Sequence, residues 1–180
     1  AITMDDQCLI GSDLLVKPAT HAGQTSVSVY LPGDEPWYDV DDHTRRDGGA
    51  HHTVATPLDK IAVHQRGGSI VPRQSRPRRC SALMEHDPYT LTVALDGARS
   101  ARGSLYLDDG ATYDYARSGA FKVVDMRFAP AAGGGGYTLA STVEDGGGGH
   151  EPRNTVERVV VVGLGAAPTA VAASACDGVG

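Results

Sequence analysis

The sequence predicts an all-β chain, an antiparallel β-sandwich followed by an incomplete second β-sandwich, and three observations carry that prediction. Polar and apolar residues alternate in Ser26–Leu31, Thr90–Leu95 and Gly103–Leu107, the period of two that sends successive side chains to opposite faces of a strand. Glycine (23) and proline (10) punctuate the 180 residues as expected of many short strands joined by turns. No segment carries a helical period over three turns.

Taken in order, Cys8-Leu9-Ile10 and Leu14-Leu15-Val16 read as short strands separated by Gly11-Ser12-Asp13 and closed by Lys17-Pro18. In Ser26–Leu31 the residues Val27, Val29 and Leu31 share one face, and Pro32-Gly33 ends the strand. Trp37-Tyr38-Asp39-Val40 is the next short strand, Asp41 to His52 a charged connection, and Thr53 to Thr56 extended. Ile61 to His64 leads into Arg66-Gly67-Gly68-Ser69-Ile70-Val71-Pro72, where a glycine pair allows positive φ and a corner between two strands.

Thr90–Leu95 and Gly103–Leu107 give the clearest β signal, with Asp108-Asp109-Gly110 closing the second run as a hairpin turn. Phe121 to Phe128, Tyr137 to Val143 and Thr155 to Val162 continue the spacing. The tetraglycine runs Gly133–Gly136 and Gly146–Gly149 cannot pack a core and read as elongated hairpin loops. The regions before and after Pro130 therefore read as two sandwiches, the second incomplete, with Thr169 to Gly180 small residues lacking any period.

A formal net charge of -6 has the wrong sign for a phosphate-backbone binder, so nucleic acid is not an expected partner. Cys8, Cys80 and Cys176 are odd in number and widely separated, which indicates neither a disulfide framework nor a zinc site. The most apolar stretch, Val159 to Cys176, contains Pro168 and is mostly Val, Ala and Gly, so it reads as a buried strand and a loop rather than a membrane span. Asn154 is followed by Thr155 and Val156 and is no glycosylation acceptor. The start at Ala1, without an initiator Met or a signal-peptide layout, reads as a piece of a longer polypeptide.

Candidate acid/base pairs are Asp5/Asp6, Asp41/Asp42 and Asp108/Asp109, but adjacent strand residues point to opposite faces, and Asp108/Asp109 reads as turn-forming. His43, His51 and His52 with Asp47 lack compact metal-ligand spacing and read as a solvated loop; His64 reads as a satisfied structural histidine or a rim residue. Arg73, Arg76, Arg78 and Arg79 form a basic cluster that reads as a solvated loop whose stems pack on the sandwich, or as one that meets an acidic partner surface or a neighbouring part of the polypeptide through bidentate pairs. Gly67-Gly68 lacks the spacing and following helix of a phosphate loop. A glycan-stacking surface would draw on Trp37, Tyr38, Tyr89, Tyr106, Tyr113 and Tyr115.

Four ordered blocks covering about Asp5 to Val171 resemble the family-31 glycoside hydrolases, α-glucosidases among them. They are Asp5-Asp6-Gln7 through Gly11 with Leu14-Leu15-Val16 and Pro18; Val29-Tyr30-Leu31-Pro32-Gly33 with Trp37-Tyr38-Asp39; Ile61 through Arg73; and Arg76 through Leu91 followed by Leu105-Tyr106-Leu107-Asp108-Asp109-Gly110. Cys80 departs from the pattern where a small hydroxyl residue is expected, and the tetraglycine runs look like insertions. The resemblance implies that the catalytic (β/α)8 barrel is absent from this chain: residues 1–20 would be the exit segment from that barrel, 21–129 a proximal β-sandwich and 130–180 a partial distal β-sandwich.

It also implies that the parent protein is a retaining hydrolase of terminal α-glucosyl residues, trimming glucose from N-glycans in the lumen of the endoplasmic reticulum, with no metal or organic cofactor. Its nucleophile would sit in a W-x-D-M-N-E setting, and here Trp37-Tyr38-Asp39 continues as Val40-Asp41-Asp42, so that match fails. The chain is thus expected to hold no catalytic, cofactor-binding or metal residue and to be inactive by itself. Its partners would be the parent's own barrel, a glucosylated N-glycan or other α-glucoside bound by the parent, and a lectin-like β subunit. The competing reading is a stand-alone glycan-binding β-sandwich without hydrolase activity.

Overall fold

The computed structural model describes residues 4–174. Seven strands come first in the chain: β1 (Cys8–Ile10), β2 (Leu14–Lys17), β3 (Ser26–Leu31), β4 (Trp37–Asp39), β5 (Arg45–Arg46), β6 (Ala50–Ala55) and β7 (Ala62–Arg66). They form a five-stranded sheet in the order β1-β2-β7-β4-β5 and a two-stranded ribbon, β3-β6. The alternation in β3 decides which face is buried: Val27, Val29 and Leu31 point inward while Ser26 and Ser28 stay exposed. These side chains, with Val54 of β6, meet Leu15, Trp37 and Ala62 of the larger sheet in one apolar cluster, a small two-layer sandwich. Trp37 is fully enclosed there, and its indole N–H donates to the Pro32 carbonyl oxygen at 3.0 Å, which satisfies the one polar atom the ring brings inside.

The remaining strands among the described residues are β8 (Ser69–Arg73), β9 (Tyr89–Ala94), β10 (Ala101–Leu107), β11 (Lys122–Pro130), β12 (Tyr137–Asp145) and β13 (Val156–Val162), with a 3-10 turn (Ser81–Met84) and a short α-helix, α1 (Asp114–Arg117). They make a single sheet in the order β12-β11-β10-β8-β9-β13, whose apolar face gathers Ile70, Leu91, Val93, Leu95, Ala101, Met126 and Phe128. Most pairs are antiparallel, but β8 with β10 and β9 with β13 run parallel. Parallel neighbours need a crossover connection, and residues 146–155 supply one by carrying the chain from the β12 edge to the opposite edge.

Local expectations change here: the connection expected over Asp41 to His52 contains β5 and the start of β6. Asp108-Asp109-Gly110 does not close a tight hairpin; it opens a longer connection, residues 108–121, that contains α1 before β11 returns antiparallel to β10. Gly133–Gly136 is a hairpin loop between β11 and β12, but Gly146–Gly149 begins the crossover, pressed against Gly119 and Ala120 so closely that a Cβ on Gly148 would lie 2.3 Å from the Ala120 nitrogen. Strand β11 runs on through Pro130, which pairs with Tyr137.

The chain changes sheet at Gly67-Gly68, between β7 and β8. Gly67 donates to the Pro36 carbonyl at 2.7 Å and Gly68, at φ 87°, to the Ala94 carbonyl at 2.8 Å. A Cβ on Gly67 would sit 2.7 Å from the Leu95 oxygen and 2.8 Å from the Pro36 oxygen. Around this crossing Gln65, buried, donates from Nε2 to the Thr92 carbonyl (3.0 Å) and to Ser69 Oγ (3.1 Å), while the Tyr38 hydroxyl donates to the Leu95 carbonyl at 2.8 Å. Gln65 and Tyr38 face each other in register on β7 and β4, and Tyr38 packs on Ala94 and Val162 of the second sheet.

The neighbour on β7, His64, turns to the opposite face and is wholly buried with neither ring nitrogen hydrogen-bonded among the described residues. It is therefore neither the satisfied histidine nor the rim residue that the sequence suggests. Burial pushes its pKa down to about 4, against the pull of Asp39, with Arg46, Lys60 and His52 pushing the same way as burial. The unfolded chain protonates this imidazole near pH 6.5 and the folded chain only near pH 4, so between those values the unfolded state binds more protons. Stability is then whole above pH 7 and falls as the pH drops towards 4.

Two outcomes follow. Gly67→Ala forces a methyl into two backbone carbonyls and should cost about 3 kcal/mol in urea unfolding, whereas Gly136→Ala, with nothing within 4 Å of its Cβ position, should change stability by less than about 0.5 kcal/mol. Going from pH 7 to pH 5 should remove about 2 kcal/mol through His64. His64→Leu, which removes the two unpaired nitrogens, should flatten that slope without loss at pH 7; an unchanged slope in the variant would refute the assignment.

Candidate functional site

Each acidic pair singled out from sequence has at least one member engaged locally. Asp6 forms an ion pair with Lys17, whose hydrogen bond holds the Asp6 carboxyl below its usual range. Asp41 meets Lys60 at 3.3 Å, and Asp42 accepts the Thr44 amide at 2.8 Å, with Thr44 the main cause of its lowered pKa. Lys60 also reaches Asp39, buried on β4, at 3.1 Å. Asp108 accepts the Gly110 amide (2.8 Å), and Asp109 accepts the amides of Ala111 (3.1 Å) and Thr112 (3.0 Å) and the Thr112 hydroxyl (2.6 Å). The Thr112 hydroxyl leads these contacts in holding the Asp109 carboxyl near pKa 2, an acceptor locked to its own turn.

The histidines do not converge. His51 and His52 are consecutive on β6 and turn to opposite faces: His51 lies 5.0 Å from the Tyr30 ring, and His52 Nε2 is 2.8 Å from the Asp47 carbonyl oxygen. His43 sits apart in a turn at φ 62°. Among the described residues no group of three or more His, Cys, Asp or Glu is placed to hold a metal ion.

The structure divides the basic cluster. Arg78 grips Asp87 with two bonds, Nε at 2.9 Å and Nη2 at 2.6 Å, and Arg76 reaches Glu157 of β13 at 2.8 Å. Arg78 is what depresses the Asp87 carboxyl, and the fork-to-carboxylate fit fixes the 74–87 loop. Arg73 and Arg79 stay exposed.

The aromatic candidates also separate. Trp37 and Tyr38 are core residues and Tyr89 is half-buried, so stacking on Trp37 is excluded. Tyr106, Tyr113 and Tyr115 are 49%, 67% and 41% exposed, all on β10 or the connection that follows it.

An open cleft of about 830 Å³ lies beside the Gly67-Gly68 crossing, with Arg66, Arg102 and Arg127 interspersed among Asp13, Glu35 and Asp125. Arg66 stands 5.0 Å over the Trp37 ring. No spacing in the sequence marks this concavity, because β7, β10 and β11 build it from residues far apart in the chain.

Residues 1–71 match the model of the glycosyl hydrolase family 31 C-terminal domain. The chain is 42% identical over 163 residues, 90% of its length, to "Neutral alpha-glucosidase AB" of Homo sapiens, and covers 17% of that protein. Among solved structures, a glucosidase II alpha subunit with alpha3-Glc2 bound superposes with a TM-score of 0.75 at 36% identity, over 92% of this chain and 18% of the other. The catalytic subunit in a heterodimeric complex of ER glucosidase II with the binding domain of its regulatory subunit gives 0.73 at 37% identity, over 89% and 18%. This is the group towards which the Arg76–Leu91 block points. The chain thus spans about a sixth of the length of the relatives it matches, and its residues 1–71 are similar to the C-terminal domain of glycosyl hydrolase family 31.

Proposed function

We propose that this chain is the C-terminal scaffold of an α-glucosidase that removes terminal α-glucosyl residues with retention, and that the reacting carboxylates come from the catalytic barrel of the same polypeptide. The observation that carries this reading is the 42% identity over 90% of the chain to a neutral α-glucosidase of which it spans only 17%. Retaining hydrolysis needs two carboxyl groups ~5 Å apart, one attacking the anomeric carbon and one protonating the leaving oxygen and then activating water. The acidic pairs of this chain are tied to their own turns or to lysines, which supports a structural role for them.

Residues 1–20 would lead out of the barrel, and the two sheets would hold it in place, since reacting groups must be kept within about 0.5 Å of productive geometry by a rigid support. By its likeness to the solved heterodimer, the parent would work on glucosylated N-glycans in the endoplasmic reticulum lumen beside a lectin-like regulatory subunit. No helix among the described residues is long and apolar enough to cross a membrane.

Hydrolysis of a chromogenic α-glucoside tests the reading. The polypeptide extended through the barrel should be active and the 180-residue chain silent, and Asp108→Asn in the extended form should leave kcat within about twofold. Turnover by the 180-residue chain would overturn the assignment.

A further inference from the structure

The connection between β10 and β11 carries a feature that scaffolding does not require. Tyr106, Tyr113 and Tyr115 lie within ten residues, all substantially exposed. Their rings are arranged: Tyr106 stacks on Phe121 with centroids 5.6 Å apart and planes at 23°, and Tyr113 meets Tyr115 at 6.3 Å and 43°. The backbone beneath is fixed, because Asp109 ties down Ala111 and Thr112. The Gly146 amide donates to the Phe121 carbonyl at 3.0 Å, and the Gly148 amide to that of Gly119 at 3.0 Å. Aromatic rings held ready before a ligand arrives lose little entropy on binding.

A small cleft of about 250 Å³ adjoins this loop through Asp108 and Asp109 and is completed by His86, His150, Arg153 and Asn154. Its chemistry is mixed: imidazoles that donate or accept, a guanidinium donor, and the carboxylates of Asp108 and Glu151 beside that of Asp109, which its own turn engages. Asn154 gives its amide hydrogens to the Glu85 and Asp87 carbonyls at 2.7 and 2.9 Å, which leaves its oxygen as an acceptor.

We infer that the Tyr106/Tyr113/Tyr115 platform and the adjoining cleft form a binding surface for a neutral oligosaccharide. A sugar ring offers an apolar C–H face to tyrosine and hydroxyls that both donate and accept, which this lining can meet. An anionic ligand would face Asp108, Asp109 and Glu151. The cleft is smaller than the ~300–1,000 Å³ of drug-sized pockets, a size for one sugar ring rather than a helix or strand of a protein partner. The choice of α-linked glucose as the sugar rests on the proposed function and on a similar structure having been solved with alpha3-Glc2; the site itself rests on the geometry.

The test is affinity electrophoresis of the barrel-extended polypeptide in gels containing a soluble α-glucan, with α-glucosidase activity assayed in parallel. The parent should be retarded, and Tyr113→Ala/Tyr115→Ala should weaken binding by about tenfold with hydrolysis and melting temperature unchanged. In the 180-residue chain, an α-1,3-linked glucose disaccharide should shift the tyrosine ring resonances. Equal mobility of parent and variant, or capture of a protein by the tyrosines without sugar binding, would overturn the inference. Retardation lost in the variant but no hydrolysis by the parent would sink the hydrolase reading and leave this site standing.

Discussion

The architecture depends on one passage of backbone through a space too narrow for a side chain. At Gly67 the chain leaves the first sheet between two carbonyl oxygens, those of Pro36 and Leu95, each under 3 Å from where a Cβ would be. Glycine is the one residue that fits, and the tightness is what lets Gln65 and Tyr38 reach Thr92 and Leu95 across the junction. The first sandwich and the six-stranded sheet, each with its own apolar cluster, are thereby joined by buried hydrogen bonds whose loss would leave polar groups unpaired.

Much of this was legible. The alternation in Ser26–Leu31 placed Val27, Val29 and Leu31 inside, and the glycine pair marked a corner. What a single sequence could not tell was which sheet each strand joins. Strands β9 and β13 lie more than sixty residues apart yet pair in parallel, a non-local match with no local signature. The same limit applies to the site residues. Arg78 and Asp87 close a loop across nine positions, and Arg76 finds Glu157 only after the fold has brought β13 alongside β9. His64 looked like a surface or satisfied residue because a polar letter beside a glycine corner usually is; period-two geometry from Ala62 sends it into the core instead.

The acidic residues carry the functional lesson. Asp-Asp pairs attract attention in a glycosidase relative, and in this chain they hold turns and lysines. Asp109 is the clearest case, with both carboxylate oxygens engaged by Ala111 and Thr112. Its low pKa comes from turn geometry, which shows why a perturbed carboxylate is by itself a weak sign of catalysis. The aromatic residues divide just as sharply: those near the crossing fill the core, and those after β10 face solvent on a braced loop.

If the chain supports chemistry that happens elsewhere in its polypeptide, loosening the crossing must affect endurance and leave the reaction alone. The decisive measurement is kcat/KM at 25 °C, together with the temperature of half-inactivation, for the barrel-extended polypeptide carrying Gln65→Leu. The inactivation temperature is expected to fall by several degrees with kcat/KM unchanged. A fall in kcat/KM at full thermal stability would contradict it, because it would mean that this chain contributes directly to the reacting centre.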